Sequence, residues 1–123
     1  MRISLSAFEL LVVQALDDLP DEFLQALNNV DVVIEREPAR HHMTDAGVER
    51  GTLLGLYQGV PQTHRSSYYG MVLPDKITIF QGPILRLASD EDEARRIVRE
   101  TVVHEIAHHF GISDERLQEL GVY

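Results

Sequence analysis

Apolar residues at Leu5, Phe8, Val12, Ala15, Leu16 and Leu19 fall mostly three or four positions apart, the period of one helical face. An amphipathic helix is therefore expected to open the chain. Pro20 starts a second, short helix, with Asp21 and Glu22 in its first turn and Phe23, Leu24 and Leu27 on its buried side. Proline suits a first helical position, and acids there complement the helix dipole. Asn28-Asn29 closes this helix. The texture then changes: Val30, Val32 and Ile34 alternate with Asp31 and Glu35, a strand pattern ended by Glu37-Pro38. Residues 38 to 50 read as a polar loop. Thr52 to Gln58 is apolar on both alternating faces, which places it inside a sheet, and Asp75 to Phe80 gives a third strand with Ile77 and Ile79 on one face. Between them Gly59 to Pro74, rich in Gly, Pro, Ser and Tyr, forms a long excursion, and such loops in compact domains are more often functional than idle. Gln81-Gly82-Pro83 reads as a turn.

The dominant helix is expected from Ser89 to Gly111. Ser89, Glu91 and Asp92 fit a capped start. Glu91–Arg95, Asp92–Arg96 and Arg96–Glu100 are spaced as i,i+4 pairs on a solvated face. Apolar content rises toward the C-terminal half (Val98, Val102, Val103, Ile106, Ala107, Phe110), so that half is expected in the core. Gly111 stops the helix, as glycine does just past a C-terminus, and Asp114 to Leu120 makes a last short one. Neither a repeat nor a second domain is visible, so residues 1–123 are expected to form one domain.

Composition narrows the chemistry. The chain has no cysteine, which excludes disulfides, thiolate metal sites and a cysteine nucleophile. His, Asp and Glu are then the strong metal ligands available. A net charge of −9 and a pI near 5.0 count against a nucleic-acid partner, because phosphate binding rests on clustered Lys and Arg. No apolar run is long enough to span a membrane, and the acid-interrupted N-terminal stretch is a poor signal peptide. A cytoplasmic location is the expectation; the oligomeric state is left open.

His104-Glu105-Ile106-Ala107-His108 lies on the long helix placed above on other grounds. At about 100° per residue the two histidines stand roughly 40° apart and one turn up, on one face, so both imidazoles can reach one ion. Glu105 falls roughly 60° to the other side of His108, where it flanks the ion and takes a proton from water without being a ligand. Ala94, Ile97 and Thr101 share the histidine face, which puts the site at the border of core and groove. Gly111 and Asp114 extend the pattern to H-E-x-x-H-x-x-G-x-x-D, in which the helix ends, turns back and delivers a third ligand. A catalytic zinc uses three protein ligands and one open position, and two imidazoles with a carboxylate suit zinc. Asp114 also fits as a cap of the last helix or as a residue of its first turn, and Glu115 and Glu119 are alternative third ligands. His109 points about 100° away from His108 and reads as a structural or supporting histidine. His41 and His42 read as solvated loop residues, and His64, Arg65, Tyr68 and Tyr69 as loop residues that more often pack or bind than catalyse.

Four stretches resemble the small bacterial zincin-like metallopeptidases, or minimal zincins: Leu-Pro-Asp-Glu-Phe at 19–23, Gly-Thr-Leu-Leu-Gly-Leu-Tyr-Gln-Gly-Val-Pro at 51–61, Leu-Pro-Asp-Lys-Ile-Thr-Ile-Phe at 73–80, and Thr-Val-Val-His-Glu-Ile-Ala-His-His-Phe-Gly-Ile-Ser-Asp-Glu-Arg-Leu at 101–117. The resemblance implies an α+β fold, with a small mixed sheet of three to four strands packed against N-terminal helices and a long active-site helix. It also implies zinc on His104 and His108, Asp114 as third ligand and Glu105 as general base. The function expected is a zinc metallopeptidase acting on a peptide or protein, with an extended substrate added along the sheet edge beside Lys76 to Phe80. The alternative is a metal-bearing binding or regulatory module without efficient turnover. It is motivated by the lack of a methionine after the motif, the last being Met71, and by the nine residues that follow Asp114.

Overall fold

The computed structural model describes residues 1–47, 53–59 and 74–121; the side chain of Asp114 also lies outside the described part. Helix α1 (Leu5–Asp17) is capped by Ser4, whose hydroxyl accepts from the Ala7 N–H, and buries Phe8, Leu11, Val12 and Ala15. Helix α2 (Asp21–Ala26) follows Pro20 and runs into a single 3-10 turn at Leu27–Asn29. Phe23 is fully buried there, whereas Leu24 faces solvent.

Strands β1 (Val30–Glu35), β2 (Gly55–Gln58) and β3 (Asp75–Phe80) form a mixed sheet in the order β1-β3-β2. β1 runs parallel to β3, from Val30 opposite Asp75 to Glu35 opposite Phe80, and β2 runs antiparallel, with Tyr57 opposite Ile77. The expected third strand is thus the central one, and Ile77, Thr78, Ile79 and Phe80 are all buried. The segment expected inside the sheet is, among the described residues, its edge, β2. A peptide therefore cannot add beside Lys76 to Phe80, because both ladders of β3 are already taken by β1 and β2.

Three further expectations are corrected. Residues 38 to 50 are not simply a loop, since helix α3 spans Arg40–Asp45. His42 on it is buried rather than solvated: its Nδ1 accepts from the Ala39 N–H at 2.9 Å, and its Nε2 lies 3.0 Å from Glu35 Oε2. Its ring stands edge-on to Phe80. Gln81-Gly82-Pro83 is no turn but the start of helix α4 (Gln81–Leu87). The Gly82 N–H donates to the Arg36 carbonyl at 2.8 Å, and a Cβ there would lie 2.8 Å from that oxygen and 2.1 Å from Glu37 Oε1. The glycine is needed for this close approach. Arg86, one turn on, donates to both carboxylate oxygens of Glu37 at 2.5 and 2.9 Å and holds that carboxyl below the usual range. The pair is exposed and contributes little to stability.

Helix α5 (Glu91–Phe110) packs against α1 and against β2 and β3 of the sheet. Its cap is Asp90 rather than Ser89: Asp90 Oδ1 accepts from the Glu93 N–H at 2.8 Å, and Glu93 Oε1 reaches back to the Ser89 N–H at 3.0 Å. Arg96 pairs with Glu100 and Arg95 with Glu91 as expected, the latter at 4.0 Å; Arg95 also meets Asp92, and Arg96 meets Glu93 in place of the expected Asp92. Ala94, Ile97, Val98, Thr101, Val102, Val103, Ile106 and Ala107 are buried. They close a core with Phe8, Phe23, Ile77, Ile79 and Leu117. Phe110 does not join it and is 51% exposed. Gly111, with φ 68°, ends the helix in the left-handed region, and the Ile112 N–H returns to the Ala107 carbonyl at 2.9 Å. Helix α6 (Asp114–Glu119) follows, capped by Ser113, with Asp114 in its first turn. Buried Leu117 and an Arg116–Glu22 ion pair dock it against the body of the protein. Among the described residues no helix is long and apolar enough to cross a membrane.

Candidate metal centre

Because α5 leaves the core near its C-terminal end, one face changes character along its length. Ala94, Ile97 and Thr101 are buried, whereas His104 and His108 on the continuation of that face are exposed. Both imidazoles line a cleft of about 490 Å³ that runs along the outer edge of β2. Gly55, Leu56 and Tyr57 of β2, Glu105 and His109 of α5, and Asp45 and Ala46 at the end of α3 also line it.

Glu105 is held in place. Its Oε1 accepts from the Tyr57 main-chain N–H at 2.8 Å. In the β2–β3 ladder the Phe80 N–H donates to the Leu54 carbonyl, so even-numbered residues of β2 face β3 and Tyr57 points its amide outward, toward α5. The Tyr57 side chain is fixed as well. Its hydroxyl donates to Asp75 Oδ2 at 2.7 Å, and its ring stacks on His109 with centroids 4.0 Å apart and planes 22° apart. His109 Nε2 lies 3.8 Å from the same Asp75 oxygen, and exposed Phe110 stands edge-on to both rings. His109 is thus a supporting residue, as its place on the helical wheel implies.

Sequence reading missed Tyr57, Asp75 and Gly55. The available signal is the alternation of β2, which puts a residue with no side chain and an aromatic one on the face that meets α5. A Cβ on Gly55 would lie 2.6 Å from Thr101 Cγ2 and 3.2 Å from the Thr78 carbonyl, so only glycine lets β2 approach the motif helix this closely. Gly55→Ala is expected to lower stability by about 1–3 kcal/mol through overpacking. Thr101→Ser, which removes the clashing methyl but keeps the hydroxyl that bonds the Ile97 carbonyl at 2.7 Å, should recover part of the loss. Urea denaturation of the two single variants and the double variant measures this; a Gly55→Ala protein as stable as wild type would refute the packing argument.

His104 and His108 supply two imidazole donors of the kind a zinc ion takes. Two imidazoles rise one turn apart from the same wall of a cleft, and the next carboxylate on the helix is tied to β2 and so stands apart from them. Among the described residues no three His, Asp or Glu side chains converge as a complete ligand set; the expected third ligand, the Asp114 side chain, lies outside them. What is described at this position is its main chain, the first residue of docked helix α6. Of the alternatives, Glu119 gives its carboxylate to Arg116 at 3.0 Å, and Glu115 is exposed. His64, Arg65, Tyr68 and Tyr69 fall within 60–73, outside the described residues.

A conserved hypothetical protein from Thermo thermophilus has a similar structure, with a TM-score of 0.55, 28% identity, and coverage of 88% of this chain and 94% of that one. No curated protein is significantly similar in sequence. The sequence profile of the zincin-like metallopeptidases matches residues 27–122, from the 3-10 turn after α2 through the sheet and the H-E-x-x-H helix to beyond α6. The chain belongs to the zincin-like metallopeptidase family.

Proposed function

We propose that this protein is a zinc-dependent metallopeptidase that hydrolyses peptide bonds in a peptide or protein, with Glu105 as general base. One observation carries the reading. His104 and His108 face the cleft one turn apart, and the carboxylate between them in sequence is drawn aside by the Tyr57 amide. His104, His108 and Asp114 would hold the ion. Zinc, when bound, supplies Lewis acidity that acidifies water and polarises a carbonyl. Tyr57 engages one oxygen of Glu105, which leaves the other to take a proton from the attacking water and pass it to the departing amine. β3 is paired on both sides and β2, among the described residues, on one, so an extended substrate is proposed to lie in the cleft beside Gly55 to Tyr57 rather than beside β3.

The first test is metal content by elemental mass spectrometry on protein purified without chelator. Wild type is expected to carry about one zinc per chain and His108→Ala essentially none. No metal in either, even after zinc is offered to folded protein, would remove the enzyme reading.

A further inference from the structure

We propose that Tyr57 is a positioning residue whose main-chain N–H orients Glu105, with Asp75 and His109 holding Tyr57 in register for that task. The proposal deepens the reading of Glu105 as base and rests on it; the hydrogen bond itself does not. A glutamate at the second position of an H-E-x-x-H helix has three side-chain torsions and faces a cleft. Left alone, it would sample several rotamers, and only a subset aims a carboxylate oxygen at water in the cleft. A donor that selects one rotamer in advance removes that cost from each turnover.

Tyr57 is suited to this by where it sits. Odd-numbered residues of β2 turn their amides away from β3, so the Tyr57 N–H is spared from the ladder and lies 2.8 Å from Glu105 Oε1. An edge strand alone would be a poor anchor, because edges move more readily than central strands. Here three contacts fix it: the pairing of Tyr57 with Ile77, the hydroxyl bond to Asp75 at the start of central β3, and the stack on His109 from the motif helix itself. Gly59, just past the strand, packs its α-carbon against the same pair, since a Cβ there would lie 3.3 Å from His109 Cε1 and 3.7 Å from Asp75 Oδ1. Strand and helix are therefore clamped together within two residues of the hydrogen bond, on the His109 side. The helix that carries the base also carries the ring that holds its donor in place.

The amide can be removed by substitution. Proline at an edge position whose N–H points outward loses no ladder bond. Tyr57→Pro and Tyr57→Ala therefore both delete the side chain, and they differ chiefly in the N–H. Two measurements decide the matter. In metal-free protein, hydrogen exchange of the Tyr57 amide is expected to be slow and to accelerate roughly tenfold in Glu105→Ala. In Glu105→Gln, which keeps an acceptor oxygen, protection should largely survive. An amide that exchanges equally fast in wild type and Glu105→Ala would overturn the proposal, whether or not the protein is a peptidase. In zinc-loaded protein acting on a cleaved peptide, Tyr57→Pro should lose roughly tenfold more in kcat than Tyr57→Ala, with KM and zinc content alike. Equal kcat in the two variants would overturn the positioning role. If wild-type protein holds zinc but cleaves nothing, the peptidase reading falls and so does the positioning role that rests on it, while the exchange result still decides the bond.

Discussion

Glu105→Gln is expected to bind zinc as wild type does and to lose about 10²–10⁴-fold in kcat/KM, the usual contribution of a positioned general base. Glutamine keeps the length and shape of the side chain. Its carbonyl oxygen can still accept from the Tyr57 N–H, which lies 2.8 Å from Glu105 Oε1. The helix, the cleft and the two imidazoles should therefore be unchanged, and metal content should show it. What is lost is basicity. The atom facing water becomes an amide nitrogen that donates instead of accepting, so the attacking water keeps its proton and the leaving amine receives none. The comparison is made on a quenched fluorescent peptide that wild type cleaves, with zinc measured in the same samples. Cleavage by Glu105→Gln at the wild-type rate would sink the base assignment, while loss of zinc together with activity would make Glu105 a ligand instead.

The residues that make this site legible in the sequence are those whose roles are local. His104, Glu105 and His108 need only a helix, and the helix announces itself by apolar spacing, acids in its first turn and Gly111 at its end. The partners that complete the site come from elsewhere in the chain. Tyr57 is separated from Glu105 by 48 residues, and nothing in the alternation of β2 says which strand it borders or which way its amide points. Strand order is hidden for the same reason: apolar residues on both faces of Thr52–Gln58 suggest an interior strand, yet among the described residues β2 has a strand on one side only, and Gly55 is buried under Thr101 of α5.

Helix α3 is hidden by its capping chemistry. Its start is Ala39, which offers no side-chain oxygen, and the Ala39 N–H is instead satisfied by His42 Nδ1 at 2.9 Å. A histidine thus does what Glu or Gln does in a capping box, and a scan for the usual residues passes over it. Gln81-Gly82-Pro83 misleads in the opposite direction. Glycine and proline together signal a turn, but Pro83 lies in the first turn of α4, where a missing N–H costs nothing, and Gly82 is small because the Arg36 carbonyl is close. Phe110 shows where periodicity stops being informative: the helical face continues past the point where the core ends, and the ring stands at the surface against Tyr57 and His109.

Ile106 and His108 sit two residues apart on α5 and should divide stability from chemistry. Ile106 is 0% exposed, within the core formed with Phe23, Val102 and Leu117. Truncating it leaves a cavity among close-packed neighbours, and Ile106→Ala is expected to cost about 2–5 kcal/mol, a large fraction of the roughly 5–15 kcal/mol that holds a domain of this size together. His108 is exposed on the opposite side of the helix, so His108→Ala should change metal-free stability by no more than about 0.5 kcal/mol. Zinc narrows the gap between the two variants. An ion that binds only the folded state stabilises by about 2.7 kcal/mol at a hundred times its dissociation constant. Wild type and Ile106→Ala should both gain this when zinc is added, and His108→Ala should not. Denaturation of the three proteins with and without zinc, followed by circular dichroism, reads both effects at once. Equal metal-free losses in the two variants would mean that the histidine face is part of the core. A zinc gain that survives His108→Ala would place the ion elsewhere on the molecule.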